Sequence, residues 1–165
     1  MNRYRYLIIG GGMTADAAVR GIRKLDPDGT IGLVGREKDP PYNRPPLSKA
    51  LWKGKPLDSI WRKTESRQVD LHLGRKIVAL DADRLCAQDE QGNEYYGEKI
   101  LLATGGTPRR LPFGGNDIIY YRSLESYRRL AALSAEHDQF AIIGGGFIGA
   151  EVGAALAKKK KKVTM

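Results

Sequence analysis

Hydrophobic and glycine-rich segments alternate at the start of the chain in the order expected of a strand, a turn and a helix. An apolar run at residues 7–9 stops at the three glycines 10–12. Apolar residues then recur at helical spacing over residues 15–25, and the turn-forming sequence 26–29 ends the predicted helix. A second apolar run at 30–34 predicts the next strand. The pattern is that of a β–α–β unit.

The glycines in this unit have the spacing that a nucleotide pyrophosphate requires. Gly10 allows a tight turn, Gly12 lets backbone N–H groups approach phosphate oxygens, and the small Ala15 keeps helix and strand close. The helix N-terminus would present its positive dipole end to the anion. Glu37, just after the second strand, is placed to accept hydrogen bonds from an adenosine ribose. An ordinary turn without a ligand is the alternative interpretation, which this context disfavours.

The middle of the chain changes to short strand-like runs separated by turn residues. Prolines in residues 39–46 argue against a helix or an interior strand there and favour a stiff loop. Further along, Gly, Asn and Asp residues separate the runs. The predicted elements are a short helix over 47–52, a parallel strand over 69–73, an antiparallel meander over 76–81, 84–88 and 94–96, and a buried strand over 99–103.

The opening pattern returns 134 residues later, at residues 140–151, with Gly144, Gly146 and Gly149 in the three glycine positions. A helix is predicted before this second unit, with Ser123 as its N-cap and its end at about residue 136. Two strand–glycine–helix units imply two dinucleotide sites. The second unit stops before the position that distinguishes NAD from NADP, so we expect the chain to be a fragment of a larger protein.

Composition indicates a soluble globular protein. Its 165 residues suit one domain or slightly more, and 41% hydrophobic residues can form a core. We expect no membrane association and a cytoplasmic location, because no apolar stretch is long enough to span a bilayer and no signal peptide is evident. The one cysteine, Cys86, cannot form an intramolecular disulfide and is predicted to be a small buried residue.

The chain is basic, with 28 Lys and Arg against 19 Asp and Glu and a formal charge of +9. Five of these charges form the run 158–162, without which the balance is 23 against 19. Such an excess would steer a pyrophosphate or an acidic electron carrier. Nucleic acid stays open as a partner, although the run contains no aromatic residue for base stacking. We interpret the run as a solvated helix end, and an engineered, tag-like origin also stays open.

Four ordered motifs give the chain a family resemblance. They are PYNRPPLSKALW at 41–52, ATGGTPR at 103–109, YRSLE at 121–125 and IIGGGFIGAE at 142–151. With the first glycine turn, they resemble the FAD-dependent pyridine-nucleotide oxidoreductases of the ferredoxin and rubredoxin reductase branch, which includes the apoptosis-inducing-factor-like flavoproteins. The resemblance implies an α/β fold: a Rossmann-like, three-layer FAD-binding domain with a small antiparallel meander (1–110), a linker (111–138) and the start of an NAD(P)-binding domain (139–165).

The resemblance also implies the residues that bind cofactors. Many relatives carry an acidic residue at the place of Arg36, so this departure moves the expected ribose contact to Glu37. A cation near the flavin ring would stabilise negative charge on reduction. The expected contacts are Gly10, Gly12, Met13, Thr14 and Ala15 at the FAD pyrophosphate, Arg36 and Glu37 at the ribose, Arg44 and Lys49 at the phosphates and flavin ring, Ile77 at the adenine, Ala103, Thr104, Gly105 and Arg122 elsewhere along FAD, and Gly144, Gly146 and Gly149 at NAD(P)H.

The function implied is electron transfer from NAD(P)H through FAD to a carrier such as a ferredoxin or rubredoxin. No cysteine pair follows the ribose acid, which excludes dithiol chemistry in this chain. No acid–base catalytic residue and no metal site are predicted. Two alternatives stay open: a flavoprotein of the apoptosis-inducing-factor type that acts through a protein or nucleic acid, and an isolated fragment without activity of its own.

Overall fold

The first glycine turn joins two regular elements as the sequence predicts. In the computed structural model, which describes residues 2–115 and 117–165, strand β1 (Asn2–Ile9) leads through the turn into helix α1 (Met13–Leu25). Helix α1 ends at Leu25, and the backbone N–H of its C-cap residue, Asp26, donates to the Ile22 carbonyl. Met1 and Asn116, which fall in the predicted FAD-binding domain and linker, lie outside the described residues.

A mixed sheet organises the first of two compact units, Met1–Asn43 with Trp61–Gly106. In the part of this unit that the structure describes, β1 is joined by β2 (Ile31–Gly35), β3 (Asp70–Leu73), β4 (Ile77–Asp81), β5 (Cys86–Asp89) and β6 (Glu94–Leu102). These six strands lie in the order β3-β2-β1-β6-β5-β4. Strands β1, β2, β3 and β6 run parallel, and β4, β5 and β6 form the antiparallel meander. The predicted Rossmann-like α/β class is confirmed.

The core of this unit lies on both faces of the sheet, because successive side chains of a strand point to opposite sides. Ile8 and Leu33 pack with Ala15 and Val19 of α1 on one face. Leu7 and Ile9 belong to the cluster on the other face. Cys86 is buried and unpaired, as predicted.

The second compact unit comprises Arg44–Ile60 and Thr107–Met165. It contains α2 (Leu124–Glu136), β7 (Gln139–Ala141), α3 (Phe147–Lys158) and β8 (Lys162–Thr164), and β7 and β8 pair in parallel. Its core is built on Trp52, Leu130, Val152 and Leu156. The Trp52 indole N–H donates to the Tyr121 hydroxyl at 3.1 Å. Within the described parts of both units, none of the helices has the length and apolar character needed to cross a bilayer.

Ser123 caps α2 as the sequence predicts. Its hydroxyl accepts the Ser126 backbone N–H at 3.3 Å, and the Ser126 hydroxyl accepts the Ser123 N–H at 2.9 Å. This reciprocal capping box satisfies two backbone donors that have no partner within the helix. The helix therefore begins where the N-cap signal places it and ends at Glu136.

Two element predictions are wrong. The runs 94–96 and 99–103 form one strand, β6, because the chain stays extended through Gly97 and pairs with β1 along nearly its whole length. The short helix over 47–52 is instead two 3-10 turns, Pro45–Ser48 and Leu51–Lys53. The backbone of Lys49, at φ −125° and ψ −86°, separates them. Pro45 and Pro46, at the end of the predicted stiff loop, are thus the first residues of a 3-10 turn. Proline suits these first helical positions.

Candidate functional site

The first glycine turn packs directly against the end of strand β6. Gly10 has a φ of +130°, and a Cβ added there would lie 2.1 Å from the Ala103 carbonyl oxygen. The Gly10 N–H donates to the Val34 carbonyl at 2.8 Å, and the Ala103 N–H donates to the Ile9 carbonyl at 2.8 Å. Only glycine fits this close approach, which places the turn at the carboxyl ends of β1, β2 and β6.

The start of α1 offers room and hydrogen-bond donors for an anion. A Cβ added at Gly12, the N-cap residue, would meet nothing within 4 Å. The first N–H groups of a helix have no partner inside it, and they carry the positive end of its dipole. Met13 and Thr14 are exposed, whereas Ala15 is fully buried in the core. The turn therefore fits the predicted pyrophosphate of a dinucleotide.

Glu37, the predicted ribose contact, is held by Tyr42 of the proline-rich segment, residues 39–46. The Tyr42 hydroxyl donates to Glu37 Oε2 at 2.5 Å, and Tyr42 is only 2% exposed. Trp61 packs against the Tyr42 ring edge-to-face, with 6.2 Å between ring centroids. The Glu37 carbonyl also accepts the Gly74 N–H at 2.9 Å. Arg36, by contrast, is exposed at the end of β2.

The remaining predicted contacts in the first unit follow from the sheet register. Ile9 of β1 pairs with Leu102 of β6, so the residues after Leu102 leave the sheet beside the glycine turn. Thr104 and Gly105 are exposed there. Ile77 lies at the start of β4 and is half-buried against the sheet face opposite α1.

Lys49, in the second unit, is paired with a residue to which sequence reasoning gave no role. Its Nζ lies 3.2 Å from Glu151 Oε1, and the Ser48 hydroxyl donates to Glu151 Oε2 at 2.6 Å. The Ser48 hydrogen bond, together with Lys49, lowers the pKa of Glu151 against a smaller opposing effect of burial. A single acidic residue two positions after Gly149, in a helix that is otherwise apolar up to its last residue, Lys158, is the signal that would have identified it.

Arg44 and Arg122, both predicted cofactor contacts, are brought together in the second unit. The Arg44 guanidinium donates through Nη1 to the Arg122 carbonyl at 3.1 Å. The Arg122 N–H in turn donates to the Ser126 hydroxyl of α2 at 3.0 Å. The Arg44 guanidinium and the Arg122 backbone therefore lie at the N-terminal end of α2.

The second glycine turn has the same type of geometry as the first. Gly144 has a φ of +114°, and a Cβ added at Gly149 would lie 2.3 Å from the Gly144 carbonyl oxygen. Gly146 is the N-cap of α3, and a Cβ there would meet nothing within 4 Å. Helix and turn pack closely, and space remains at the helix N-terminus for an anion.

The fold and these two turns define a dinucleotide-binding protein of the Rossmann type. Each turn joins a parallel strand to a helix whose N-cap glycine has open space beside it, which is the arrangement that binds a pyrophosphate. Comparison with known proteins identifies the group. The chain belongs to the pyridine nucleotide-disulphide oxidoreductase family, whose sequence profile matches residues 4–165.

Over the aligned residues, individual relatives are about a third identical to this chain. The rubredoxin-NAD(+) reductase of Pseudomonas putida is 35% identical over 96% of the chain, and apoptosis-inducing factor 1 of Dictyostelium discoideum is 31% identical over 94%. The putidaredoxin reductase–putidaredoxin complex is a similar solved structure, with a TM-score of 0.87, 29% identity and 98% of the chain covered. The chain spans 43%, 34% and 41% of these three proteins, respectively.

Proposed function

We propose that the chain is the FAD-binding part, with the start of the NAD(P)-binding part, of an NAD(P)H oxidoreductase that reduces an electron carrier such as a ferredoxin or rubredoxin. The observation that carries the proposal is the pair of glycine turns, each with an N-cap position that is open to an anion. The names of the similar reductases support the choice of carrier. The predicted domains, 1–110, 111–138 and 139–165, belong to this proposal.

The residues of this chain would bind and orient the cofactors. FAD, when bound, supplies the redox chemistry by accepting a hydride and releasing single electrons. The first N–H groups of α1 would bind its pyrophosphate, and Glu37, oriented by Tyr42, would bind the ribose. Lys49 would supply a positive charge near the flavin, with its ammonium group positioned by Glu151.

The chemistry proposed here needs no disulfide. Cys86 is the one cysteine in the sequence and is buried on β5. A dithiol mechanism requires two sulfurs within bonding reach, so this chain cannot supply one. A buried, unpaired thiol is also usual in a reducing compartment, which supports a cytoplasmic location as part of the proposal.

The test is cofactor binding and turnover by the full-length protein. We expect FAD in near-stoichiometric amount, released by heat and identified by its absorption, and oxidation of NADH or NADPH with a carrier or quinone. A full-length protein that is loaded with FAD but oxidises neither nicotinamide with any acceptor would overturn the proposal. Binding of FAD by residues 1–165 alone is a separate measurement, because this chain is less than half as long as its relatives.

Two glycines in α1 and its cap offer a matched pair of variants. A Cβ at Gly12 or at Gly21 meets nothing within 4 Å, so neither Gly12→Ala nor Gly21→Ala is expected to clash within the protein. Gly12→Ala places a methyl group where phosphate would approach and should weaken FAD binding by roughly tenfold or more. Gly21→Ala should keep FAD affinity and stabilise the helix by about 0.5–1 kcal/mol. Equal FAD affinity for both variants would contradict the assignment of the turn.

A flavoprotein that acts mainly through macromolecular interaction is a second candidate. The relative named apoptosis-inducing factor 1 and the run of lysines at 158–162 favour it. Retention on immobilised nucleic acid that falls steeply with added salt would support this candidate. No retention at low salt would remove nucleic acid as the partner.

A further inference from the structure

A buried charged network lies beneath the proposed FAD site and has no role in the contacts described above. Asp16, in the first turn of α1, has none of its surface exposed. Its Oδ2 accepts the Nε hydrogens of Arg20 at 2.6 Å and Arg62 at 2.7 Å, and its Oδ1 accepts the Thr64 hydroxyl at 2.6 Å. Every partner of this carboxylate is therefore a side chain of the first unit.

Arg62 extends the network to the proline-rich segment. Its Nη1 donates to the Asn43 side-chain oxygen at 2.5 Å, and its backbone N–H donates to the Pro41 carbonyl at 3.1 Å. Between these two contacts, Tyr42 forms an antiparallel bridge with Trp61. The segment Pro41 to Asn43 is thus fixed at each of its residues, including Tyr42, whose hydroxyl donates to Glu37.

Stability alone does not account for such a network. Replacing a buried ion pair by well-packed apolar residues often leaves a protein equally stable or more stable, because removing charges from water is costly. The network instead fixes the relative positions of two side chains, because the planar guanidinium of Arg62 joins Asp16 to Asn43 with defined geometry. The segment is thereby tied to the same helix whose N-terminus forms the proposed phosphate site.

We propose that Asp16 is a positioning residue for FAD: through Arg62 and Asn43 it fixes the segment Pro41 to Asn43, in which Tyr42 holds Glu37, and so couples the glycine turn to the proposed ribose contact. The inference rests on the proposed function. It assigns Asp16 no contact with the cofactor, since the side chain is fully buried and its oxygens are already occupied.

An electrostatic role and a positioning role of Asp16 predict opposite changes in FAD affinity for Asp16→Asn. The cluster of Asp16, Arg20 and Arg62 carries one negative and two positive charges. Removing the carboxylate leaves more positive charge near a phosphate site, which by charge alone would tighten FAD binding, most of all at low salt. A positioning role instead predicts that the dissociation constant for FAD rises by about tenfold, at low and high salt alike.

The experiment is an FAD titration of the full-length apoprotein, with folding checked by circular dichroism. Arg62→Lys keeps the charge but cannot join Asp16 to Asn43, so it should weaken FAD binding as much as Asp16→Asn. The double variant should bind FAD no more weakly than either single variant, because both changes break the same connection. Additive effects of the two changes would overturn the proposal.

Arg23 provides the matched control. Its guanidinium donates to the carbonyls of Asp26, Gly29, Arg67 and Gln68, at the other end of α1 and away from the proline-rich segment. Arg23→Lys should therefore lower thermal stability and leave the dissociation constant for FAD within about twofold. If Arg23→Lys weakens FAD binding as much as Asp16→Asn, general destabilisation explains both and the positioning role is refuted.

Asn43→Ala tests the same proposal if Asp16→Asn fails to fold, because Asn43 is only partly buried and the substitution shortens one side chain. It removes the last hydrogen bond of the connection and leaves Asp16 paired with Arg62. We expect the dissociation constant for FAD to rise about threefold or more. Unchanged affinity in this variant refutes the inference. Failure of the wild-type protein to bind FAD would refute the proposed function instead, so the two failures are distinguishable.

Discussion

Gly10 shows how one residue determines whether the glycine turn can form. We expect Gly10→Ala to destabilise the protein by about 3 kcal/mol or more, because its Cβ would lie 2.1 Å from a backbone oxygen at a φ of +130°. Chemical unfolding of this variant beside Gly12→Ala separates fold from binding, since a Cβ at Gly12 meets open space. Equal stability of the two variants would show that the turn tolerates a side chain at Gly10.

Lys160 occupies a backbone position that glycine would suit better. It lies just beyond α3 with a φ of +61°, and its N–H donates to the Ala157 carbonyl while the next N–H donates to the Leu156 carbonyl. This is the Schellman arrangement, in which glycine usually occupies the left-handed position. Lys160→Gly should raise the free energy of unfolding by about 1 kcal/mol.

The same substitution two residues earlier supplies the control for Lys160. Lys158 is the last residue of α3, so Lys158→Gly should lower the free energy of unfolding by up to about 1 kcal/mol. Urea unfolding measures both. Shifts of the same sign would mean that charge reduction in the lysine run, and not backbone conformation, controls stability there.

Among single residues, those that local sequence spacing identifies could be predicted from the sequence. The glycines of both turns and the N-cap Ser123 lie where the pattern indicated. Asp16 and Glu151 were not singled out, because their partners Arg62 and Lys49 are 46 and 102 residues away in the sequence. Only the folded chain brings such pairs together.

The turn between β5 and β6 is an element held by one buried carboxylate. Asp89 is 1% exposed and accepts the backbone N–H groups of Gln91 and Asn93 and the Tyr95 hydroxyl. Burial opposes ionisation, but the hydrogen bonds from the Asn93 side-chain amide, together with these backbone and Tyr95 donors, outweigh it and lower the pKa of Asp89 to about 2. The carboxylate form therefore stabilises this hairpin.

The consequence is a loss of stability in acid that depends on Asp89. A group whose pKa is lowered on folding stabilises the native state above its unfolded pKa, and this contribution disappears as the pH falls through the folded pKa. We expect the free energy of unfolding to fall between about pH 4 and pH 2. Asp89→Asn should be less stable than the wild type at pH 5 and approach it near pH 2.

Asp83→Asn is the control for this pH dependence, since Asp83 is exposed in the neighbouring turn. It should retain the acid transition of the wild type. Urea unfolding at a series of pH values provides the measurement. An Asp89→Asn curve parallel to that of the wild type would show that other carboxylates cause the acid sensitivity.

Element predictions succeeded where one local signal dominates and failed where tertiary pairing decides. Strand β6 was divided in two because Gly97 interrupts the apolar pattern, yet β1 pairs with it on both sides of this glycine. The segment 47–52 has helical composition, but the two preceding prolines begin a tight turn that ends at Ser48. Composition alone does not distinguish a 3-10 turn from an α-helix.

For the whole molecule, the positive charge is concentrated in one of the two compact units. The second unit has 14 Lys and Arg against 6 Asp and Glu, whereas the first has 14 against 13. The formal charges are thus +8 and +1, which sum to the +9 of the chain. An acidic carrier would be attracted mainly to the second unit.

Replacing lysines tests this attraction. Lys158→Gln with Lys162→Gln, two exposed positions of the second unit, should raise the KM of the full-length protein for a rubredoxin roughly threefold at low salt. The difference should vanish at high salt, because charges between exposed groups are screened. Reduction of a neutral quinone should not change.

The corresponding change in the first unit, Lys24→Gln with Lys63→Gln, removes the same charge from exposed sites. It should leave the KM for the carrier within about twofold. Steady-state kinetics at several ionic strengths compares the two double variants. Equal effects would indicate that net charge, and not its distribution, governs association.

The two tryptophans of the chain are divided evenly between the units, one in each. Trp61 packs against Tyr42 in the first unit, and Trp52 lies in the second unit against Tyr121 and Tyr127, with Lys159 Nζ 5.0 Å from its ring. Each unit therefore contains its own intrinsic fluorophore in a different environment. Emission from Trp52→Phe and Trp61→Phe variants would report the melting of each unit separately, without an added label.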